Sequence, residues 1–399
     1  MSAPSPIRLA VVLSHPVQYY SPWFRRLAAE PELRLRVFYL WDFGVTEQRD
    51  PGFGAVFKWD IDLLAGHDHE FVPNSAARPG TDHFWGLRNP ALPRRLAAWR
   101  PDAVLMFGYA YASHLRAIIW ARWRGIPLIF RGDSHFIGRP AGRTWRTLAQ
   151  RWIYAQFSAL TFVGQANRDY FTALGVPTRR LFFAPHAVDE TFFDPANPGH
   201  RTQAVRLREQ LGISASTRVV LFAGKFVPAK QPRELLEAFL EVNQPGTALV
   251  LAGDGVESPA LRERARSAAP GQVHFLPFAN QSEMPARYLL ADVFALPSRG
   301  LYETWGLAVN EAMHLGVPCL VSDRVGCQRD LVTDNETGWV FRAEDAAQLR
   351  ERLRAALAAD LAPFRTRVSA RIANYTYRQA TAGLLDAVRH VIPRPVRST

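Results

Sequence analysis

Short runs rich in Val, Ile, Leu and Phe recur along the whole chain, separated by longer segments of helical periodicity. In the first half these runs are 7–13, 35–40, 103–107, 127–130, 159–163 and 181–184. In the second they are 218–223, 248–252, 273–276, 293–296, 319–321 and 339–341. Helical patterns such as 111–123, 233–242, 306–315 and 345–358 lie between them. Near-continuous apolar strands suit parallel sheets covered on both faces by crossover helices. The alternation therefore predicts an α/β protein of two doubly wound halves. The divide is expected in DPANPGH (194–200), a stretch of turn-formers followed by a fresh helix and strand. The expected domains are 1–195, 196–362 and a helical segment, 363–399. Two such sheets facing each other would place the main site in the cleft between them.

Composition agrees with two packed domains. The 399 residues are 48% hydrophobic and 21% charged, which excludes disorder as the main state. The longest uncharged runs are 16 residues, broken by Pro or polar side chains and short of the ~20 a spanning helix needs. MSAPSPIR has no basic start before a long apolar core, so no signal peptide is expected and a cytoplasmic protein is the default. Cys319 and Cys327 have no partner pair that would make a zinc site or a disulfide framework. The net charge is +12, spread over both halves with no run of four basic residues, which argues against nucleic acid as a partner.

Of the 48 basic residues only three are lysine, and two of these, Lys225 and Lys230, sit five apart. The strand RVVLFAG runs into KFVPAKQP and a helix opened by Pro232, which places both lysines between a strand end and a helix N-terminus. There free N–H groups and the positive dipole end already favour phosphate. The next strand ends in Gly253-Asp254-Gly255, where backbone can approach a ligand or simply turn. In LPSRGLYETWGLAVNEAMHLGVPCLVSD a strand ends at Ser298, Glu303 lies in the loop, and a helix begins near Gly306 with Glu311 inside it. The N–H groups of Trp305, Gly306 and Leu307 stand free at that helix start and can hold an anion. Both carboxylates can face one ligand and grip vicinal hydroxyls of a ribose or a sugar. The spacing alone carries little, since 17 Glu give roughly 0.7 such pairs by chance, and Glu336 with Glu344 repeats it on ordinary surface.

With GKFVPAK, AGDG and ETWGLAVNEAMHLGVPCLVSD in place, the chain resembles glycosyltransferase family 4, bacterial retaining enzymes of the GT-B fold with two Rossmann-like domains. The match is most specific over 218–358. LSHPVQYYSPWFRRLA, DPGFGAVFKWDIDLLAG and RGDSH extend it into the first half. The resemblance implies that Lys225 and Lys230 bind the donor diphosphate together with the amides of Trp305, Gly306 and Leu307. Lys225 stands where the family usually has Arg, and loses the bidentate fork. Trp305 replaces a usual Phe. The resemblance further implies that Glu303 contacts the donor sugar and that Glu311 holds the ribose. Base recognition is expected from Phe278 to Gln281, in the loop after a second-half strand. A functional His is implied after the fourth strand, where IPLIFRGDSHF offers His135 and Asp133.

Around these lie further candidates. His15, after the first strand, would meet acceptor or sugar, or else be a hydrogen-bonded structural His; His114 reads as structural. Arg131 would supply a charge for an anionic acceptor. YASHLRAIIWARWRG, with Arg116, Arg122 and Arg124, would touch a bilayer as a peripheral membrane protein or merely cover the sheet, and Trp120 and Trp123 read as core. The tail from 363, by resemblance, crosses back to the first domain.

The activity expected from all this is hexosyl transfer from a nucleotide-sugar to a glycan or lipid-linked acceptor in polysaccharide biosynthesis. Fixed cations and helix-end amides would take the leaving-group charge without a metal or other cofactor. A GT-B sugar-nucleotide 2-epimerase and a non-catalytic sugar-nucleotide sensor are the alternatives. Retention by front-face attack or by a covalent intermediate stays open.

Overall fold

The computed structural model describes residues 5–46, 48–49, 56–138, 145–300 and 303–393. Part of one quoted motif, residues 50–55, lies outside them, as does the end of the tail, 394–399. Two parallel sheets carry the structure. The first has seven strands in the spatial order His69–Phe71, Leu33–Tyr39, Ile7–Leu13, Ala103–Phe107, Leu128–Arg131, Ala159–Phe162, Leu181–Phe183. The second has six, Val273–Leu276, Thr247–Ala252, Arg218–Ala223, Val293–Leu296, Cys319–Ser322, Gly338–Phe341. All twelve expected strands are present to within two residues at either end. The thirteenth, His69–Phe71, escapes the sequence pattern because an edge strand of three half-buried residues has no apolar run.

Each sheet starts at its centre, winds outward one way, then returns and winds the other way. The order reverses between Ile7–Leu13 and Ala103–Phe107 in the first sheet, and between Arg218–Ala223 and Val293–Leu296 in the second. A crevice opens beyond the carboxyl ends of such a pair of strands. The loops at these two crevices are 14–20 and 108–111 in the first half, and 224–231 and 297–306 in the second. The singled-out lysines, Glu303 and the glycines before Leu307–His314 lie at the second reversal.

Apolar faces bury in four clusters, one on each side of each sheet. One of them is completed by the far end of the chain. The last helix, Tyr377–Val391, lays Tyr377, Ala380, Leu384, Leu385, Ala387 and Val388 against the first sheet beside helix Ser21–Ala28. Trp23 Nε1 donates to Thr381 Oγ1 at 3.1 Å, and the Tyr377 hydroxyl donates to the Tyr19 carbonyl at 2.8 Å. The contact is close because Gly383 has no side chain: a Cβ there would lie 1.8 Å from the carbonyl oxygen of Phe183.

That clash is with backbone at the end of a sheet strand, which cannot swing aside, so it outweighs the helix propensity Ala would add. Gly383→Ala is expected to cost about 1–3 kcal/mol and to lower the thermal midpoint by about 3–10 °C. A raised midpoint by calorimetry would show that the helix does not seat there.

Candidate active site

Glu311 occupies the second turn of helix Leu307–His314 and is 3% exposed. No cation pairs with its carboxylate among the described residues. Neutral donors hold it instead: the Tyr288 hydroxyl at 2.6 Å on Oε2, and the Tyr19 hydroxyl at 3.1 Å and Gln281 Nε2 at 3.4 Å on Oε1. Tyr19 comes from the first half, so the two halves meet on this one side chain. Burial raises the Glu311 carboxyl to about 7, against the pull of the three hydrogen bonds.

Glu303 has the opposite environment. Its Oε2 takes a salt bridge from Lys230 and a hydrogen bond of 2.8 Å from Ser298 Oγ. Lys230 ends a short 3-10 turn, Pro228–Lys230, whose successor Gln231 adopts a left-handed conformation and opens helix Pro232–Val242. Lys225 is half-buried in the same loop. Gly306 caps Leu307–His314 at φ +98°, so the N–H groups of Trp305, Gly306 and Leu307 precede the first intrahelical bond. The Trp305 ring turns away from that cap. It is 3% exposed, donates Nε1 to Asn310 Oδ1 at 2.8 Å, and packs against Gly164, His186 and Tyr375. Trp305 thus offers a ligand its amide and gives its indole to the contact with the first half.

Asp133 bridges the halves. Its Oδ2 accepts from Thr304 Oγ1 at 2.7 Å and from His186 Nε2 at 3.4 Å. Burial alone would raise its carboxyl, but His186 and Thr304 outweigh it and bring it to about 2. Burial lowers His186, so at neutral pH a neutral ring donates its Nε2–H to an ionised Asp133. His135 is 7% exposed; its Nδ1 accepts from the Ile137 amide at 3.1 Å, which puts the proton of the neutral ring on Nε2. That N–H lies 3.5 Å from the Glu303 carbonyl oxygen.

The other candidates fall elsewhere. Arg131 does not offer its charge to an acceptor. It is buried, donates to the carbonyls of Ala184 and Pro185 at 2.8 and 3.2 Å, and lies over the Trp23 ring. A strand-end Arg is as well suited to bracing neighbouring carbonyls as to holding an anion, and here the carbonyls have it. His15 bonds Ser14 Oγ through Nδ1 at 3.0 Å between Trp41 and Phe43, and burial lowers it to about 4. His114 is buried in its helix. Gly253 and Phe278 line a cavity of about 160 Å³ with Gly224, Met284, Tyr288 and Glu311. At Gly253, φ is +142° and a Cβ would lie 2.0 Å from the Gly224 carbonyl oxygen, so only Gly fits.

The residues that sequence reasoning missed are Tyr19 and Tyr288 around Glu311, and His186, Thr304 and Asn310 around Asp133; Gln281, expected near the base, also bonds Glu311. Tyr19 and His186 follow the carboxyl ends of the strands Ile7–Leu13 and Leu181–Phe183, where the crevice rule would have found them. Tyr288 and Asn310 lie within helices and carry no such signal. Across the same divide, the Gln165 amide donates to both oxygens of Asp330 at 3.0 and 3.1 Å, and Arg329 pairs with Asp169.

Two facing Rossmann-like sheets with anion-binding loops at the reversal of the second define the GT-B class of fold. Comparison with known proteins agrees. Residues 15–192 match the model of Glycosyltransferase Family 4, and residues 205–378 that of Glycosyl transferases group 1. Together these take in most of the chain, which belongs to glycosyltransferase family 4. It is 33% identical to the GDP-mannose-dependent alpha-(1-6)-phosphatidylinositol monomannoside mannosyltransferase of Mycolicibacterium smegmatis, over 63% of this chain and 66% of that one. It is 28% identical to the D-inositol 3-phosphate glycosyltransferase of Xylanimonas cellulosilytica, over 62% and 61%. The chain thus spans less than two thirds of the length of each of these curated relatives. The crystal structure of Anabaena HepE in complex with UDP and glucose superposes with a TM-score of 0.70, at 17% identity over 96% of this chain and 99% of that one.

The raised Glu311 carboxyl carries a pH signature. The folded state holds its proton more tightly than the unfolded chain, so stability falls as pH rises from about 4.5 to about 7 and the full cost persists above that. Glu311→Gln removes the ionisation. The ligand-free variant should gain about 1–3 kcal/mol over the wild type at pH 8 and lose that advantage near pH 4.5. Denaturant melts at the two pH values check this. A gap that does not change with pH would mean that Glu311 does not take up a proton.

Proposed function

We propose that this protein is a retaining glycosyltransferase that moves a sugar from a nucleotide-diphosphate sugar to a saccharide or lipid-linked acceptor in the synthesis of a bacterial surface glycan. The observation that carries the reading is the convergence at the second reversal. Lys230, Glu303 and the free amides before Leu307–His314 stand at one mouth, and Glu311 lies one and a half turns further along that helix. The first relatives' names support the donor class: GDP-mannose in one, and UDP with glucose bound in a structural neighbour.

In this reading the base enters the cavity lined by Gly253 and Phe278, and the ribose hydroxyls donate to Glu311. The diphosphate lies against Lys225, Lys230 and the amides of Trp305, Gly306 and Leu307. Phosphate drawing on Lys230 competes with Glu303 for it, which frees that carboxylate to accept from hydroxyls of the sugar. The bond from the anomeric carbon to the diphosphate oxygen breaks with its electron pair passing to the diphosphate. The acceptor oxygen bonds the same carbon from the face the diphosphate leaves, and its proton passes to the departing diphosphate oxygen. Negative charge grows on the leaving group where cations and amides already point, so they need no reorganisation in the transition state. His135 presents an N–H, which suits a donor to a sugar oxygen rather than a base.

A panel of UDP, GDP and ADP read by thermal shift tests the site. One of them should raise the midpoint of the wild type, and Lys230→Ala should lose that response. With the matching donor, Lys230→Ala should lose about 10²–10³ in kcat/KM. Full activity in Lys230→Ala combined with Glu311→Ala would sink the reading. Conversion of the donor with no acceptor present would instead indicate an epimerase, and binding without turnover a sensor.

We further propose that transfer is metal-independent. The initial rate should therefore stay within about twofold when a chelator is added, the charge on the leaving group being met by fixed cations and amides. A rate abolished by chelator and restored by a divalent cation would overturn this.

A further inference from the structure

We propose that the outer face of helices Ala112–Trp123 and Trp145–Ala155 is a docking surface for an anionic lipid bilayer. The two helices follow the neighbouring strands Ala103–Phe107 and Leu128–Arg131 and send residues into one core cluster, so they lie side by side on one face of the first sheet. Each turns an apolar stripe outward. Leu115, Ile119 and Trp123 stand four apart, the last two 61% and 81% exposed. Trp145, Leu148 and Trp152 follow at intervals of three and four, exposed by 74%, 67% and 63%. Trp123, which the sequence suggested was core, is therefore surface, while Trp120 packs inward on the cluster. At the edge beside the first helix, Trp85 is a further 61% exposed. Most of the large hydrophobic side chains exposed among the described residues belong to this one face.

The charge around the stripes says what covers them. Arg122, Arg124, Arg146 and Arg151 flank them, all exposed. Between Asp102 and Asp169 the sequence has nine arginines and a single acid, Asp133. Asp133 is turned to the cleft, where Thr304 and His186 hold it. A face with Trp at its centre and Arg at its margins, whose edge acid Asp82 is already paired with Arg78 and His83, complements an anionic headgroup layer above an acyl boundary. Arginine stems can lie along the apolar surface while their heads reach phosphate, and indoles prefer that same boundary. No helix among the described residues is long and apolar enough to cross a membrane, so the contact is interfacial. The inference does not depend on the transfer reaction, but it would bring a lipid-linked acceptor to the half that faces the donor site.

The test is co-sedimentation of the full chain with vesicles, together with tryptophan emission. Vesicles of equal parts phosphatidylglycerol and phosphatidylcholine should pull the protein down and shift its emission to the blue. Pure phosphatidylcholine should bind at least about tenfold more weakly, and added salt should weaken the anionic case. Trp145→Ser/Leu148→Ser/Trp152→Ser and, separately, Ile119→Ser/Trp123→Ser should each lose about tenfold or more in vesicle affinity. Val205→Ser/Val256→Ser, exposed apolar residues of the second half, should lose nothing. Far-UV circular dichroism and an unchanged response to nucleotide would show that the variants are folded and keep this surface distinct from the donor site. The proposal is overturned if neutral and anionic vesicles bind equally, if neither binds, or if sedimentation equilibrium finds a dimer that the same substitutions dissociate.

Discussion

Asp133 is the point at which the two halves must agree. It is ionised between them, with Thr304 of the second half and His186 of the first both donating to one oxygen. Its side chain is 37% exposed, and one donor from each half meets that oxygen, so the carboxylate ties the halves in the register that meets it. Thr304 is flanked by Glu303 and Trp305. Trp305 fills the space over Gly164 and reaches through Asn310, whose amide donates to the His186 carbonyl at 3.1 Å. The loop before Leu307–His314 therefore owes its shape to the other half. The helix-start amides that follow that loop are thus positioned in part by contacts with the first half.

The two carboxylates of the E-x7-E pair show how environment divides like groups. Glu303 keeps a cation and a hydroxyl at the mouth. Glu311, eight residues on, has only neutral donors in a dry setting, and its carboxyl rises to about 7. A diol reaching Glu311 must replace donors already there. Gln281 makes the longest of these bonds at 3.4 Å, Tyr288 the shortest at 2.6 Å, and Tyr19 at 3.1 Å the one that spans the halves. Opening of the cleft would therefore free one acceptor on Glu311 at the moment a ligand could enter.

The architecture was legible because strands buried on both faces are mainly apolar, as twelve of the thirteen strands of the two parallel sheets are, although Leu33–Tyr39 carries Arg34 and Arg36 and Ile7–Leu13 carries Arg8. The second-half loops stood out because two lysines between a strand end and a helix N-terminus are conspicuous in a sequence with only three. Local pattern could not tell which strand-end polar groups turn into the cleft and which turn under the sheet. Arg131 and Asp133 are two residues apart: one braces carbonyls beneath the sheet and the other meets the opposite half. The partners of Glu311 come from residues 19, 281 and 288, distant in the chain and brought together by tertiary packing alone. The exposure of Trp123 was hidden for a related reason. Helical spacing defines two stripes, and only the position of the sheet decides which one is the core.

The arginine excess clarifies why lysine survives where it does. Arg131 ties Ala184 and Pro185; Arg208 reaches the carbonyls of Leu290 and Thr217 and the carboxylate of Asp292; Arg180 spans Tyr154 and Phe157. A planar fork with five donors can satisfy several fixed acceptors at once and loses little freedom in doing so, which makes it a brace. Such a brace is poorly matched to a mouth where the partner changes. Lys230 holds Glu303 through one rotatable ammonium, a point charge on a flexible stem. It can pass from a carboxylate to a phosphate without dismantling a two-pronged geometry. Lys230 thus stands apart from these arginine braces as a single rotatable charge at the second reversal.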